Sequence, residues 1–431
     1  MSSTSAGRPP ATAARTREVR GESWFAALGV KGRRAFRAAF AGYMLDAFDL
    51  IVLTLSLTAI GVTFDVGTGA TGALSTVTLS ASAVGGILGG LLADRIGRAR
   101  TLMLSVGVYS LFTFLSGLAS SYEMLMVFRV FQGIGFGAEW GVGAVLVAEL
   151  VRGESRGRAL GIIQSAWAVG WALAVVAYLI AFELFPETTA WRVLMCLGIL
   201  PALLILYVRS RVEDPEVYRE SRSRSHGGEV PLRQILSGKL LKTTIAASLL
   251  ATGIQGGYYV MFTWIPTYLK TERDLTIVGT SGYLFVVIAG AFLGYLSAGW
   301  VHDRLGRRRA FGLFAALAGV SLVAYFAVPS GSNTALLLVG FPLGFFASGC
   351  FSGFGSYLAE LYPTRARATG EGFCYNVGRG IGALFPGIIG FLAAAVGLGG
   401  AIAFGVFGYV LAIAALTVLP ETRGREIRAD E

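Results

Sequence analysis

The residues that could do chemistry in this chain are acids and arginines that lie inside long apolar stretches. The stretch 41–62, AGYMLDAFDLIVLTLSLTAIGV, carries Asp46 and Asp49, and two later stretches carry Arg129 and Arg379. A charge at the centre of a bilayer costs roughly 2.5–3.5 kcal/mol even on lenient insertion scales. Side chains kept there at this cost are candidates for function, and acids that change charge are suited to carrying a proton.

The position and spacing of the two aspartates favour a shared role. A helix that begins near Phe36 places Asp49 about 20 Å into a hydrocarbon core about 30 Å thick. Residues three apart share one helical face, so Asp46 and Asp49 influence each other's protonation. One interpretation is that a buried carboxylate binds and releases a proton, assisted by Arg129 and by Glu139 as a second proton site. The alternative is that these groups only pair with one another, or with serines on other helices, and hold the helices together.

A second set of side chains has the composition of a pocket for a small anion. Arg379 keeps its charge at any relevant pH and can hold a carboxylate through two parallel hydrogen bonds. An apolar wall with a few well-placed donors is typical of such a pocket. The candidate substrate-binding residues are Arg379, Gln164, Trp167, Trp171, Gln255, Tyr258, Tyr259, Tyr375 and Asn376. The alternative is that they are packing residues between helices with occasional hydrogen bonds.

Composition places these groups in a membrane protein. The chain has 431 residues, of which 54% are hydrophobic and 14% are charged, and its mean hydropathy is +0.65. Soluble domains carry about 25% charged residues. Apolar runs of about 20 residues are long enough to span a bilayer as helices. Twelve such runs are present, at 36–62, 71–93, 101–119, 123–149, 158–183, 190–208, 241–269, 277–301, 310–328, 334–360, 367–396 and 398–419.

The basic residues orient the predicted helices. The connections after the second, fourth, eighth and tenth runs and the segment 209–242 are basic, whereas the odd-numbered connections are nearly bare. Because basic loops stay on the cytoplasmic side, both termini of this predicted cell membrane protein are expected to be cytoplasmic. We also expect the protein to be monomeric. The net charge of +10 is this bias. Its expected partner is therefore anionic lipid on the cytoplasmic side, and no nucleic acid.

The chain contains an internal repeat. "GLLADRIGRAR" at 90–100 recurs as "GWVHDRLGRRR" at 299–309, and "AELVRGESRGRALG" at 148–161 is matched by "AELYPTRARATG" at 359–370. Such periodicity indicates two structural copies. We therefore predict an all-α polytopic membrane protein with 12 transmembrane helices in two six-helix bundles. The boundaries are a cytoplasmic tail at 1–35, bundles at 36–208 and 241–419, a cytoplasmic linker at 209–240 and a cytoplasmic tail at 420–431.

Opposite charges cluster where the predicted helices end on the cytoplasmic side. Salt bridges there would stabilise an outward-open state and would have to break for the protein to open inward. The candidate gating residues are Asp94, Arg95, Arg98, Glu149, Arg158, Asp303, Arg304, Arg307, Glu360 and Arg367. His and Cys residues are too few and too scattered to predict a metal site.

The repeated Gly-x3-Asp-Arg-x-Gly-Arg loop resembles the signature of the major facilitator superfamily, and "RVFQGIGFGAEWG" at 129–141 is similar to that family's fourth-helix motif. "LDAFDL", "GFGAEWGVGAVLVAEL" and "RGRALGIIQSAWAVGW" resemble the proton-coupled carboxylate symporters of the sialate/lactate and aromatic-acid groups. The aromatic-acid group has Asp-Gly-x-Asp on its first helix, and Ala47 in place of that Gly favours the sialate/lactate side. The run 158–183 contains no Pro, which argues against a drug/proton antiporter.

The resemblance implies secondary active transport by alternating access. It implies no enzyme activity and no cofactor, with a proton gradient as the driving force. We predict proton-coupled uptake of a small organic anion such as a monocarboxylate, sialic acid or aromatic acid. One alternative is a sugar, polyol or other neutral-solute porter, favoured by "PETRGRE" at 420–426. Another is a receptor or scaffold that keeps the fold without transporting.

Overall fold

The computed structural model describes residue 25 and residues 28–150, 153–202, 232–363 and 366–423. Within these ranges a few helical side chains are also outside the description, namely those of residues 31, 94, 98–99, 139–150, 153–158, 160, 232–233, 239 and 368. All regular structure in the described ranges is helical. The prediction of an all-α protein is confirmed.

The helices follow one another with short connections. In chain order they are α1 (Gly29–Phe64), α2 (Thr68–Ile96), α3 (Arg98–Gly117), α4 (Tyr122–Leu150), α5 (Gly153–Leu184), α6 (Glu187–Leu197), α7 (Leu232–Ile235), α8 (Gly238–Thr271), α9 (Ile277–Leu305), α10 (Arg307–Ala327), α11 (Asn333–Gly349), α12 (Phe354–Glu360), α13 (Arg367–Gly382), α14 (Leu384–Val396), α15 (Leu398–Ala403) and α16 (Val406–Val418). A short 3₁₀ segment, Cys350–Gly353, separates α11 from α12.

The helices match the predicted spans. Nine helical segments within the described ranges are long and apolar enough to cross a membrane. The predicted runs 101–119 and 123–149 are helical as α3 and α4. The predicted run 190–208 begins in α6, and its residues 203–208 lie outside the described ranges. The prediction of a polytopic membrane architecture is confirmed, and the described helices are consistent with twelve spans.

Contacts between helices follow the sequence repeat. The repeated loop follows both α2 and α9, which makes these two helices equivalent, and α5 and α13 are equivalent in the same way. α2 packs against α13 and α14, and α9 packs against α5. α1 also packs against α8. The first and second halves of the chain therefore meet through equivalent pairs of helices, and this interface encloses the site described below.

Glycines allow α2 and α4 to approach at backbone distance. A β-carbon on Gly85 of α2 would lie 2.0 Å from the carbonyl oxygen of Ile134, and one on Gly137 of α4 would lie 1.7 Å from that of Ser82. Small residues at such contacts let membrane helices pack closely. By contrast, a β-carbon on Gly90, further along α2, would have no atom within 4 Å.

We expect Gly85→Ala to destabilise the protein, while Gly90→Ala on the same helix does not, because alanine is the better helix former where space is free. The added methyl at position 85 meets backbone that cannot rotate aside, and overpacking of this kind costs about 1–3 kcal/mol. Thermal unfolding of the purified variants in detergent measures the difference. Equal unfolding temperatures for the two variants would contradict the close α2–α4 contact.

Candidate functional site

A buried cavity lies where the two halves of the chain meet. Its wall is formed by Tyr43, Leu50, Leu79, Phe136, Trp167, Tyr258, Tyr259, Tyr295, Phe351, Tyr375 and Arg379. These residues come from α1, α2, α4 and α5 of the first half and from α8, α9, the 3₁₀ segment and α13 of the second. The free space is about 20 Å³, room for about one water molecule. The walls must therefore separate for an organic solute to enter.

Arg379 is the charged residue of this wall, and aromatic rings surround it. It is 3% exposed. Its guanidinium carbon lies 5.5 Å from the ring centroid of Phe136 and 5.1 Å from that of Tyr375. The hydroxyls of Tyr259 and Tyr375 lie beside the guanidinium. Cation–π contacts offset part of the cost of burying the charge, so a cation with several donors is held at the cavity.

Gln255 of α8 fixes the side of the cavity that carries Arg379. Its amide nitrogen donates to the backbone carbonyl of Tyr375 at 3.0 Å, and its amide oxygen accepts from the Tyr259 hydroxyl at 2.9 Å. α8 and α13 are in close contact here, since a β-carbon on Gly378 would lie 2.4 Å from that of Ala251. Gln255 thus lies behind the wall and positions two of the tyrosine-bearing segments next to Arg379.

Asp49 lies in a separate buried cluster inside the first half. Its side chain is fully buried and is not part of the cavity wall. The Thr113 hydroxyl of α3 donates to Oδ2, and the amide nitrogen of Gln132 on α4 lies 3.4 Å from the same oxygen. A β-carbon on Gly198, just after α6, would lie 2.7 Å from Oδ1. α3, α4 and the segment just after α6 therefore enclose the carboxylate tightly.

Arg129 lies close to this carboxylate without a direct salt bridge to it. Both side chains are fully buried and interact electrostatically. Ion pairs within 4 Å in the described part of the chain do not include one between these two groups. One guanidinium nitrogen of Arg129 instead donates to the sulfur of Met195. The structure brings the two predicted partners close together, but without an ion pair within 4 Å.

The other two candidate proton sites have different surroundings. Asp46 is fully buried and interacts electrostatically with Tyr43, one turn earlier on α1, which lines the cavity. Asp46 therefore interacts with a residue of the cavity wall, whereas Asp49 contacts side chains of α3 and α4. The Glu139 side chain lies outside the described part of the chain.

The structure divides the nine candidate substrate-binding residues. Five line the cavity: Arg379, Trp167, Tyr258, Tyr259 and Tyr375. Gln255 lies behind it, as described. The side-chain amide nitrogen of Gln164 lies 3.4 Å from the backbone oxygen of Phe351 in the 3₁₀ segment. Trp171 is fully buried and is not part of the wall. Asn376 packs against Gly86 of α2, where a β-carbon would lie 2.3 Å from its amide oxygen.

Six wall residues were not predicted from the sequence: Tyr43, Leu50, Leu79, Phe136, Tyr295 and Phe351. One signal was available, because Tyr43 precedes Asp46 by three residues and shares its helical face. Tyr295 shares its run with a second tyrosine, Tyr283, and is not distinguished from it by sequence. The leucines and phenylalanines carry no signal that distinguishes them from residues facing lipid.

Several candidate gating residues form one network in the second half. Arg307 at the start of α10 pairs with Asp303 at 2.6 Å and with Glu360 at 3.1 Å. The Thr422 hydroxyl donates to Glu360 at 2.5 Å. The network thus joins the ends of α9, α10 and α12 to the segment after α16.

Glu421 in that segment caps the N-terminus of α10. Its carboxylate accepts from the backbone N–H groups of Arg307 at 2.8 Å and Arg308 at 3.1 Å, and from those of Thr422 and Arg423. Burial acts to raise the pKa of Glu421, but these four N–H groups outweigh it and lower the pKa. At neutral pH the Glu421 carboxylate is ionised and its hydrogen bonds stabilise the contact. This stabilisation is lost as the pH falls through the lowered pKa and the carboxylate becomes protonated.

The remaining gating candidates are less connected. Arg304 stacks on the ring of Trp300 at 3.9 Å, Arg367 donates to the carbonyl of Ala359 at 3.0 Å, and Arg95 is exposed. The side chains of Asp94, Arg98, Glu149 and Arg158 lie outside the described part of the chain.

Contacts between the halves also occur near the ends of the helices opposite to this network. Lys270 at the end of α8 pairs with Glu187 at the start of α6 at 2.7 Å. The Thr68 hydroxyl at the start of α2 donates to the carbonyl of Gly390 on α14 at 2.9 Å. These contacts join the two halves, whereas the Arg307 network lies within the second half.

The similarity of the chain to known proteins identifies its family. The Major Facilitator Superfamily matches residues 39–300 and 284–430. The chain belongs to the Major Facilitator Superfamily. The resemblance of the repeated loop and of the fourth-helix motif to this superfamily is thereby confirmed.

Relatives within the superfamily are named as transporters of organic compounds. A probable 4-methylmuconolactone transporter of Cupriavidus pinatubonensis is 37% identical over 93% of this chain and 94% of its own length. The cis,cis-muconate transport protein of Acinetobacter baylyi is 33% identical over 85% and 89%. This chain is therefore a transporter and not an enzyme. Within the superfamily it belongs with transporters of carboxylates and aromatic acids.

Solved structures support the same fold. The inward-open xylose transporter XylE of E. coli has a TM-score of 0.72 with this chain, at 16% identity, over 91% of this chain and 97% of its own. The likeness confirms the major facilitator fold.

Proposed function

We propose that this superfamily member takes up a small organic anion together with a proton. The two six-helix bundles, 36–208 and 241–419, would rock around the cavity to expose it to each side in turn. The observation that carries the proposal is the separation of two buried charges. Arg379 faces the cavity between the halves, while Asp49 is enclosed within the first half.

The anion is assigned to Arg379. A buried guanidinium in an aromatic wall can bind a carboxylate through charge and paired hydrogen bonds, whereas a neutral solute offers it no opposite charge. The relative named for cis,cis-muconate is named for an organic anion, which supports this substrate class. Monocarboxylates, sialic acid and aromatic acids remain the candidate solutes.

The proton is assigned first to Asp49, with Asp46 and Glu139 as further candidates. Protonation removes a charge from a fully buried site that has no direct salt bridge to Arg129 in the described part of the chain. Binding of the anion brings a negative charge to Arg379. The state loaded with both ligands therefore has the same net charge as the empty protein, whereas either ligand alone changes that charge by one, and moving an added charge through the bilayer is costly.

The same proposal includes the setting of the protein in the membrane. Both termini face the cytoplasm of a cell (inner or plasma) membrane, anionic lipids contact the basic inner ends, and the working unit is a monomer.

Uptake into liposomes tests the proposal. The initial rate of uptake of labelled 4-hydroxybenzoate is measured with and without an inward proton gradient of one pH unit, and the rate of protein-free liposomes is subtracted. One pH unit corresponds to about 1.4 kcal/mol, or a tenfold concentration ratio. We expect the gradient to raise the rate severalfold. A rate that the gradient does not change would contradict proton coupling.

A further inference from the structure

A second group of polar side chains lines the cavity apart from Arg379. Successive residues of a helix point about 100° apart, so Tyr259 of α8 reaches Arg379 while Tyr258 turns toward α9. There its hydroxyl lies 3.4 Å from that of Tyr295. Both tyrosines are 2% exposed. A distance of 3.4 Å exceeds the usual range for hydrogen bonds between hydroxyls, so neither hydroxyl is well satisfied by the other.

Two further donors lie next to this pair. The indole N–H of Trp167 on α5 and the hydroxyl of Ser348 on α11 are close to the Tyr258 hydroxyl. Trp167 is 6% exposed and Ser348 is fully buried, and in the described part of the chain their approach to the tyrosine hydroxyls falls short of good hydrogen-bond geometry. Buried polar groups are nearly always hydrogen-bonded in proteins. Three donors of the wall, with the Ser348 hydroxyl behind them, therefore gather around one point and suit an acceptor that arrives with the solute.

Tyr43 lies between the two polar groups of the cavity. It interacts with Arg379 and Tyr375 on one side and with Tyr258 and Tyr295 on the other. A solute held at both ends thus passes the Tyr43 ring. The walls are aromatic along this path, with Phe351 at 4.8 Å from the Tyr258 ring, and such surfaces favour flat solutes.

The single charge of the wall restricts which chemical group of the solute can lie beside Tyr258 and Tyr295. Of the eleven described wall residues, Arg379 is the one with a charge. A carboxylate is compensated at Arg379, whereas a second carboxylate at the tyrosine pair would be buried without a cation. An uncharged oxygen, in contrast, needs only hydrogen-bond donors.

We propose that Tyr258, Tyr295, Trp167 and Ser348 bind an uncharged hydroxyl or carbonyl oxygen at the far end of a flat monocarboxylate whose acid group is bound by Arg379. These residues make the transporter select acids with a distal oxygen over the same acids without it. The inference rests on the proposed function, because it assumes that the cavity is the solute site.

Binding to the purified full-length protein, measured by calorimetry, tests the assignment with three probes. For the wild type we expect 4-hydroxybenzoate to bind about tenfold more tightly than benzoate, as for one buried hydrogen bond. Terephthalate, which has a charged group at the same position, should bind no more tightly than benzoate. Tyr295→Phe and Trp167→Phe should each reduce the preference for the hydroxyl, measured as the ratio of the two affinities.

Tyr325→Phe is the matched control, because this buried tyrosine lies on α10 outside the cavity wall. It should leave the ratio of the two affinities unchanged.

The inference is overturned if the wild type binds benzoate and 4-hydroxybenzoate equally, if Tyr295→Phe and Trp167→Phe both keep the preference, or if terephthalate binds most tightly. If Tyr295→Phe does not fold, the ratio for Trp167→Phe tests the inference in its place. Failure of the proposed function looks different, since Arg379→Gln would then leave benzoate affinity unchanged.

Discussion

Arg379→Gln should weaken binding of 4-hydroxybenzoate by about 100-fold. Removing one partner of a buried, hydrogen-bonded charge pair costs about 2–5 kcal/mol, and 100-fold corresponds to roughly 2.7 kcal/mol. Arg379→Lys keeps the charge but loses the planar fork, so its affinity should lie between those of the Gln variant and the wild type. Calorimetric titration of the purified variants measures these affinities.

The control for this prediction is Arg100→Gln, which removes an exposed arginine and should leave affinity unchanged. The result that would contradict the prediction is an Arg379→Gln variant with wild-type affinity for the carboxylate. Such a variant would support the neutral-solute alternative, in which Arg379 serves the packing between α13 and its neighbours.

Asp49→Asn should abolish the effect of the proton gradient on uptake and spare exchange. Asn has nearly the same shape and keeps a hydrogen-bond acceptor for Thr113, but it cannot bind and release a proton. In liposomes, the initial uptake rate of the variant should be the same with and without a gradient. Exchange of labelled for unlabelled 4-hydroxybenzoate, which needs no net proton movement, should remain within about twofold of the wild-type rate.

Asp65→Asn is the corresponding control, because Asp65 is exposed just after α1 and should keep full stimulation by the gradient. If Asp49→Asn is stimulated like the wild type, the proton is not carried by Asp49. The same assay on Asp46→Asn then distinguishes transfer of the role to the neighbouring acid from the absence of coupling.

The helical framework could be predicted from the sequence because each span is long, apolar and bounded by charged or glycine-containing connections. The break between α11 and α12 could not. The proline of this region, Pro342, lies within α11, whereas the 3₁₀ segment Cys350–Gly353 contains none. That segment contacts Tyr295 through the Ser352 hydroxyl, which donates to its carbonyl at 2.8 Å, and such a tertiary contact has no local sequence signal.

The charged parts of the candidate site were predictable for a related reason. Asp49, Arg129 and Arg379 stand out because charge is rare in apolar runs. Tyr43 and Tyr295 do not, since membrane helices are apolar toward lipid and toward one another, and the periodicity that would reveal their inner face is weak. Which residues line the cavity depends on the rotation of each helix, which packing between helices sets.

The ion pairs of Arg307 show which contacts a local charge pattern can predict. Arg307, Asp303 and Glu360 lie at helix ends beside the repeated motif, and the structure joins them. Glu421 was not predicted to belong to this network, because it lies 114 residues from Arg307 in the chain. Its role depends on where the segment after α16 passes relative to α10, which the sequence does not specify.

The most direct test of proton-coupled transport is the movement of protons that the solute itself causes. A pH-sensitive dye is enclosed in liposomes that contain the protein, without any imposed gradient, and 4-hydroxybenzoate is added outside. The account predicts that the interior acidifies faster with the wild type than with Asp49→Asn or with no protein. Rapid uptake of labelled solute by the wild type, without acidification beyond that of the Asp49→Asn liposomes, would contradict it.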